Sequence, residues 1–352
     1  MNAIPLSSQD RVLVFAPHPD DETIAAGVLL QSARAAGAAV RIVFATNGDN
    51  NPWPQRWLER RWRIDQAARE RWGLRRQGEA RAALGALGLD EPTTARFLGW
   101  PDQGLTARLM DDAAAIDVLR AELDAFGPSH VVLPTLADSH PDHSALRIMV
   151  ELALLGNPRH VVRLGYTIHG DDGDVRMLAS PADAAMCERK LRALGEYCSQ
   201  TTLSERRLFA IAGRAEAFVA GGEAPLPFVS AGALEFGIAS PGGLPLGVAH
   251  ELLIVAASRA GTRRFRIRLP RLLRRGLRLH HGTADGIALQ VGQQELLVSM
   301  PAPAAPLLAL WAKLHRVEPR LVVFDGRHWQ DGSALFGTQP AHAASEPAPG
   351  WR

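Results

Sequence analysis

Short unbroken apolar runs alternate along this chain with longer segments in which apolar residues recur every three to four positions. Residues 11–16 (RVLVFA) read as a buried strand, and residues 22–36 have helical spacing that ends near Gly37. Residues 40–45 form a second buried run, closing on Thr46-Asn47-Gly48-Asp49. Strand, helix and strand in that order predict a right-handed βαβ unit whose parallel strands end on one edge. The same pattern predicts helices over 77–87, 113–126 and 181–197 and from Ser144, with strands at 96–99, 130–134 and within 163–169.

Beyond about Pro225 the texture changes. Short strand-like runs at 251–256, 265–269, 288–291 and 295–298 are punctuated by Gly and Pro, which predicts a β-rich appendage. The expected fold class is therefore α/β, Rossmann-like, with a mainly parallel sheet flanked by helices over residues 1–225. A β-rich C-terminal extension of unassigned role follows over 226–337, and the Ala-, Pro- and Ser-rich tail 338–352 reads as disordered.

With 352 residues the chain can bury a sizeable core, and a formal charge of +2 points to no partner by itself. Arginine far outnumbers lysine, however, and clusters in two places. Around residues 51–72 it is interleaved with tryptophan, which reads either as a lid offering aromatic platforms and cationic forks to a substrate or as a helix with a Trp core stripe and a solvated Arg face. Over 263–278 arginines alternate with apolar residues, first a sign of a half-buried strand and otherwise a surface for phosphate, lipid headgroup or nucleic acid; no base-stacking or groove-reading motif accompanies them, so nucleic acid is not an expected partner. The two cysteines, Cys187 and Cys198, lack the spacing of a zinc ribbon or disulfide framework and fit a reducing compartment. No apolar run approaches the length of a transmembrane segment and the first residues lack a leader pattern, so the expected location is cytoplasmic. Homo-oligomerisation is left open.

The chemistry concentrates in two loops, each between a predicted strand and a helix. The first is Pro17-His18-Pro19-Asp20-Asp21-Glu22; the second is Asp138-Ser139-His140-Pro141-Asp142-His143. Ligands in open α/β sheets bind beyond the carboxyl ends of the strands, so the two loops can meet although more than a hundred residues separate them. His18, Asp21 and His143 supply the nitrogen and oxygen donors of a hydrolytic Zn2+ site, a set that also suits Fe2+ or Co2+. Asp20 is the candidate general base, and His140 the candidate donor to an oxyanion or leaving amine, with Asp142 or another carboxylate fixing its tautomer. Glu22 suits the first turn of the following helix, supporting the site from behind.

These two motifs together resemble the LmbE-like or PIG-L family of zinc-dependent N-deacetylases. Thr46-Asn47-Gly48, the segment from Arg76 to Glu79, Leu98-Gly99 with Pro101-Asp102, and Tyr197 with Ser199-Gln200 extend the resemblance across about residues 11–220. One departure is Pro17, where the family has Ala before the His-Pro pair. The resemblance implies His18, Asp21 and His143 as metal ligands, Asp20 as base and His140 as acid. It further implies that Arg76 and Asp102 line a sugar pocket; Asn47 is a further candidate substrate contact, as are Trp53 and Trp57 of the Trp-rich stretch, which has no counterpart in the family pattern. The activity it implies is removal of an N-acetyl or similar acyl group from an N-acetylglucosamine-type conjugate, a small-molecule or glycoconjugate substrate. The alternatives are the same amidase chemistry on a non-sugar amide or lipid-linked glycan, and a non-enzymatic glycan-binding protein with a structural metal.

Overall fold

In the computed structural model, which describes residues 2–157, 159–170, 177–179, 182–221, 233–239, 250–270, 278–281, 286–292, 294–316 and 328–332, the apolar runs become strands and the periodic segments helices. The tail 338–352 lies outside the described residues. In chain order the first elements are β1 (Asn2–Ala3), β2 (Arg11–Ala16), α1 (Asp21–Ala35), β3 (Ala39–Thr46), α2 (Pro52–Glu59), α3 (Gln66–Ala86) and β4 (Ala95–Trp100). They are followed by α4 (Leu105–Asp111), α5 (Ala114–Phe126), β5 (His130–Pro134), α6 (Pro141–Leu154), β6 (Val162–Tyr166), β7 (Met177–Ala179), α7 (Ala184–Gly195), α8 (Cys198–Ala212) and β8 (Ala217–Gly221).

Among the described residues these strands form an eight-stranded sheet in the order β1-β7-β8-β6-β5-β2-β3-β4. From β4 to β6 every neighbour is parallel, whereas β8 pairs antiparallel with both β6 and β7. Chain order reverses between β2 and β5: the chain moves from β2 towards β3 and β4 on one side, then returns to β5 and β6 on the other. This is the switch point at which a doubly wound sheet opens a crevice. The loops after β2 and β5 flank it.

Strand β2 is buried on both faces, as a central parallel strand must be. Val12, Val14 and Ala16 pack into one apolar cluster with Leu29 and Leu30 of α1, Ile42 and Phe44 of β3, Ala83 and Leu84 of α3, and Leu194 of α7. Leu13, Phe15 and Val43, equally buried, alternate to the opposite face. There α5 packs against β2, and α4 and α5 against α6.

Two helices start earlier than their apolar spacing predicts. Helix α3 begins at Gln66 because Asp65 caps it, its carboxylate accepting from the Ala68 amide at 2.8 Å. Helix α6 begins at Pro141 because His140 caps it and proline suits the first helical position. The segment 51–72, read as an insertion, is thus α2 and the opening of α3. Among the described residues, no helix is long and apolar enough to cross a membrane.

Contacts divide the chain into two units, Met1–Glu223 with Arg320–His328, and Ala224–Pro319 with Trp329–Arg352. The second unit contains β9 (Ala233–Ala239), β10 (His250–Ser258), β11 (Gly261–Leu269), β12 (Arg278–His281), β13 (Ile287–Val291), β14 (Glu295–Pro301), β15 (Leu307–Arg316) and β16 (Gln330–Asp331). They form two four-stranded antiparallel sheets, β11-β10-β15-β16 and β12-β13-β14-β9, whose apolar faces share one core, a β-sandwich. In β11, Phe265, Ile267 and Leu269 point into that core while Arg266 and Arg268 are exposed, both near Glu251 at 3.7 and 3.5 Å. The alternating arginines of 263–269 therefore belong to a half-buried strand; residues 271–277 lie outside the described residues.

Candidate active site

After Ala16 the chain leaves β2 and turns sharply into α1. Pro17 contributes its carbonyl to this turn, which accepts from the Thr46 amide at 3.0 Å and the Thr46 hydroxyl at 2.9 Å and so ties the ends of β2 and β3 together. Because the carbonyl makes these bonds, proline at 17 is accommodated. Asp20 has φ 122°, a strained conformation for a residue with a Cβ. The strain is held by the Asp20 amide donating to Glu22 Oε2 at 3.1 Å and by its carbonyl accepting from Ile24 at 3.0 Å. Glu22 is fully buried and also accepts from Thr23 and Tyr197 hydroxyls, both at 2.5 Å, which explains the Tyr197 landmark. Ser199 similarly binds Glu79, through its amide at 3.0 Å and hydroxyl at 2.5 Å, joining α8 to α3.

Arg76, from α3, is buried behind this turn. Its guanidinium donates to the carbonyls of Gly48, at 2.9 Å, and Pro19, and one Nη lies 3.4 Å from Asp20 Oδ2. The arginine expected in a sugar pocket is thus clamped between loops and paired with the candidate base. Gly48 has φ 61°, and a Cβ there would fall 1.8 Å from Arg76 Nη1, so the clamp requires glycine.

Beyond β5 the second loop folds around a buried carboxylate. Asp138 Oδ1 accepts from the His140 amide at 2.9 Å. Asp138 Oδ2 accepts from the amides of Ile168 and His169, at 2.9 and 3.1 Å, and lies 3.0 Å from His143 Nδ1. His140 Nδ1 accepts from the Asp142 amide at 3.2 Å, so the proton of its neutral ring is on Nε2.

The two loops converge. Asp21 Oδ2 lies 3.1 Å from His18 Nδ1 and 3.3 Å from His143 Nε2, bringing the three expected ligands around one oxygen. His18 Nε2 faces Asp102 Oδ1 at 3.1 Å and Asp142 Oδ2 at 3.4 Å. His140 and His169 complete the cluster, with ring centroids 5.0 and 5.3 Å from that of His143. Donor atoms of His18, His140 and His143 lie within 4.8 Å of one another, as do those of Asp21, His143 and His169.

The remaining expected residues are placed as follows. Asp102 is next to His18, and its Oδ2 accepts from the Asn50 amide at 3.1 Å. Asp142, beyond its contact with His18, accepts from the amides of Gln103 and Leu105 at 2.7 and 3.0 Å, so its carboxylate orients the 102–105 turn. Asn47 accepts from Gln77 Nε2 at 2.8 Å. Trp53 and Trp57 stand on α2, 60 % and 68 % exposed, whereas Trp72 is fully buried. The core reading of the Trp-rich segment therefore holds for Trp72, while Trp53 and Trp57 stand in solvent.

Asp138 and His169 escaped the sequence reading. Asp138 lies within the second loop, and His169 follows β6, a strand end on the same edge, so extending the strand-end rule to β6 would have found it.

Electrostatics follow from burying so many charges together. Burial raises the Asp20 carboxyl to about 8 against the opposing pull of Arg76. For His143 burial lowers the pKa, but Asp138 and Asp21 overcome it and raise the imidazole to about 10. Burial likewise opposes the net lowering of Asp21, which His143 and His18 drive. His140 falls well below its ordinary value through burial and the nearby charges of His18 and His143.

A dication would replace this repulsive proton sharing. The donor chemistry fits: two imidazoles and a carboxylate, with the fully buried His143 Nε2 facing Asp21 Oδ2 at 3.3 Å but making no well-aligned hydrogen bond among the described residues. The outer supports fit as well, with Asp138 on His143 and Asp102 and Asp142 on His18.

Such a crevice, with paired strand-end loops carrying histidines and carboxylates, defines an α/β domain with a candidate metal site. Residues 13–154 match the PIG-L family model, described as GlcNAc-PI de-N-acetylase, and this part of the chain is a PIG-L (LmbE-like) domain. Its relatives include 1D-myo-inositol 2-acetamido-2-deoxy-alpha-D-glucopyranoside deacetylases. That of Mycolicibacterium gilvum is 32 % identical over 178 residues, 46 % of this chain and 60 % of the relative. That of Mycobacterium sp. strain KMS is 36 % identical over 157 residues, 40 % of this chain and 49 % of the relative. The chain thus spans about half to three fifths of these relatives' length. Among solved structures, the conserved protein TT1542 from Thermus thermophilus aligns with 26 % identity and a TM-score of 0.45, over 62 % of this chain and 96 % of that one.

Proposed function

We propose that this protein is a metal-dependent hydrolase that removes an N-acetyl or similar acyl group from an N-acetylglucosamine-type sugar conjugate. The observation that carries it is the convergence of His18, Asp21 and His143 around one carboxylate oxygen, with Asp20 beside them. His18, Asp21 and His143 would hold Zn2+, or Fe2+ or Co2+, which have similar ligand preferences. When bound, the dication would polarise the acyl carbonyl and acidify a water molecule.

The chain's own residues supply the rest. Asp20 accepts the proton of the attacking water as general base; burial raises the basicity of its carboxylate. Arg76 holds Asp20 beside the ligands through an ion pair at 3.4 Å. His140 offers its Nε2–H to the oxyanion that develops on the acyl oxygen. As the C–N bond breaks, the amine takes up the proton that Asp20 had accepted, leaving a free amine and a carboxylic acid, which loses its own proton to water. Asp138, Asp102 and Asp142 hold the imidazoles in position.

The test is amine release from a panel of N-acetylated hexosamines and their conjugates by metal-loaded protein. Asp20→Asn is expected to lower kcat by about 10²–10⁴-fold while leaving the metal content unchanged. Absence of turnover on every hexosamine, or full activity in that variant, would overturn the proposal.

A further inference from the structure

Helix α2 packs against α8 and buries Pro54 and Gln55, with Gln55 Nε2 donating to the Ala68 carbonyl of α3 at 2.7 Å. Its outer side carries Trp53 and Trp57, one helical turn apart, and Trp62 follows the helix at 75 % exposure. Arg56 stacks on two of them, its guanidinium 4.9 Å from the Trp53 ring and 5.2 Å from the Trp62 ring, and donates to the Trp62 carbonyl at 3.0 Å. The rings are thereby held out in solvent, not left to collapse onto the protein. Arg60, Arg61 and Arg63 around them are exposed, and the one acid of this stretch, Glu59, is 3.3 Å from Arg71.

Large exposed indoles are costly in water, and a mixture of indole and guanidinium matches one environment closely: the headgroup zone of an anionic bilayer, where rings insert among acyl-chain ends and arginines meet phosphates. A neutral sugar would use the rings but has no need of the surrounding cations. We propose that the Trp53–Trp57–Trp62 face with its arginines docks this protein on an anionic lipid surface. Asn50, just before α2, donates to Asp102, which contacts His18, so the docking face is at the rim of the catalytic crevice. Docking would present the crevice to a substrate carried at the membrane surface.

Vesicle binding needs no turnover, so it tests this inference separately from the catalytic one. Co-sedimentation with phosphatidylcholine vesicles, with and without phosphatidylglycerol, is expected to show binding that requires the anionic lipid, falls with salt and shifts tryptophan emission to the blue. Each change in the series Arg60→Gln, Arg61→Gln and Arg63→Gln is expected to weaken partitioning about fivefold. The combined Trp53→Ala, Trp57→Ala and Trp62→Ala variant is expected to lose binding with an unchanged circular dichroism spectrum. Three results would overturn the inference: no vesicle binding, binding indifferent to these substitutions or to the anionic lipid, or a Trp-dependent association with soluble chito-oligosaccharide or a second copy of the chain in place of vesicles.

Discussion

At the level of single residues, His143 illustrates how a candidate metal ligand is prepared. Its Nδ1 is committed to Asp138, and its Nε2 is buried and aimed at Asp21. Without metal the ring is protonated up to about pH 10, and a ligand nitrogen must lose that proton to bind. Metal uptake at neutral pH is therefore expected to release protons, and apparent affinity should climb as pH rises. Calorimetric titration in two buffers of different ionisation enthalpy measures this directly; equal heats would contradict it. Asp138→Asn weakens the partner that fixes the ring, and a metal affinity about ten- to a hundredfold lower is expected by competition with a chelator. His18 and Asp21 were legible in the sequence because neighbouring histidine and acid residues after an apolar run are unusual. Asp138 was not, because its importance comes from the amides of Ile168 and His169, which arrive from a different strand.

Among the elements, α1 shows a dependence hidden from its own sequence. Glu216, just before β8, accepts from the Val28 and Leu29 amides within that helix, at 2.7 and 2.9 Å, and pairs with buried Lys190 of α7 at 2.8 Å. Glu216→Gln leaves a buried ammonium without its counter-charge, and a loss of about 3–5 kcal/mol is expected in denaturant unfolding. Adding Lys190→Met should recover much of it. At the start of β5, burial holds the His130 pKa below 6.5, against the pull of Asp10 at 3.5 Å. The native ring resists protonation that the unfolded chain accepts, so this contribution to stability is present above pH 6.5 and is lost as pH falls through the native pKa. His130→Gln should therefore flatten the decline of Tm between neutral and mildly acidic pH; an unchanged slope would rule the effect out. Helix existence was readable from periodicity, but the starts of α3 and α6 depended on the caps at Asp65 and His140, polar signals that precede the apolar pattern.

For the whole molecule, the order of elements along the chain and its apolar periods determined an α/β unit followed by a β-rich one, because periods of two and of three to four residues impose different backbones. They also determined that His18, Asp21, His140 and His143 stand beyond strand ends. Parallel strands joined by helices all finish on one edge, so this much needs no coordinates. Only the tertiary structure decided which strand ends are neighbours. The placement of β2 beside β5 made one site of two loops, and β6 beside β5 added His169. It likewise separated identical residue types, burying Trp72 while leaving Trp53, Trp57 and Trp62 in solvent, and turned Arg76 inward as a clamp. The physical reason is the same in each case: local pattern determines the direction a side chain leaves its own element, whereas burial and charge pairing depend on the element packed against it.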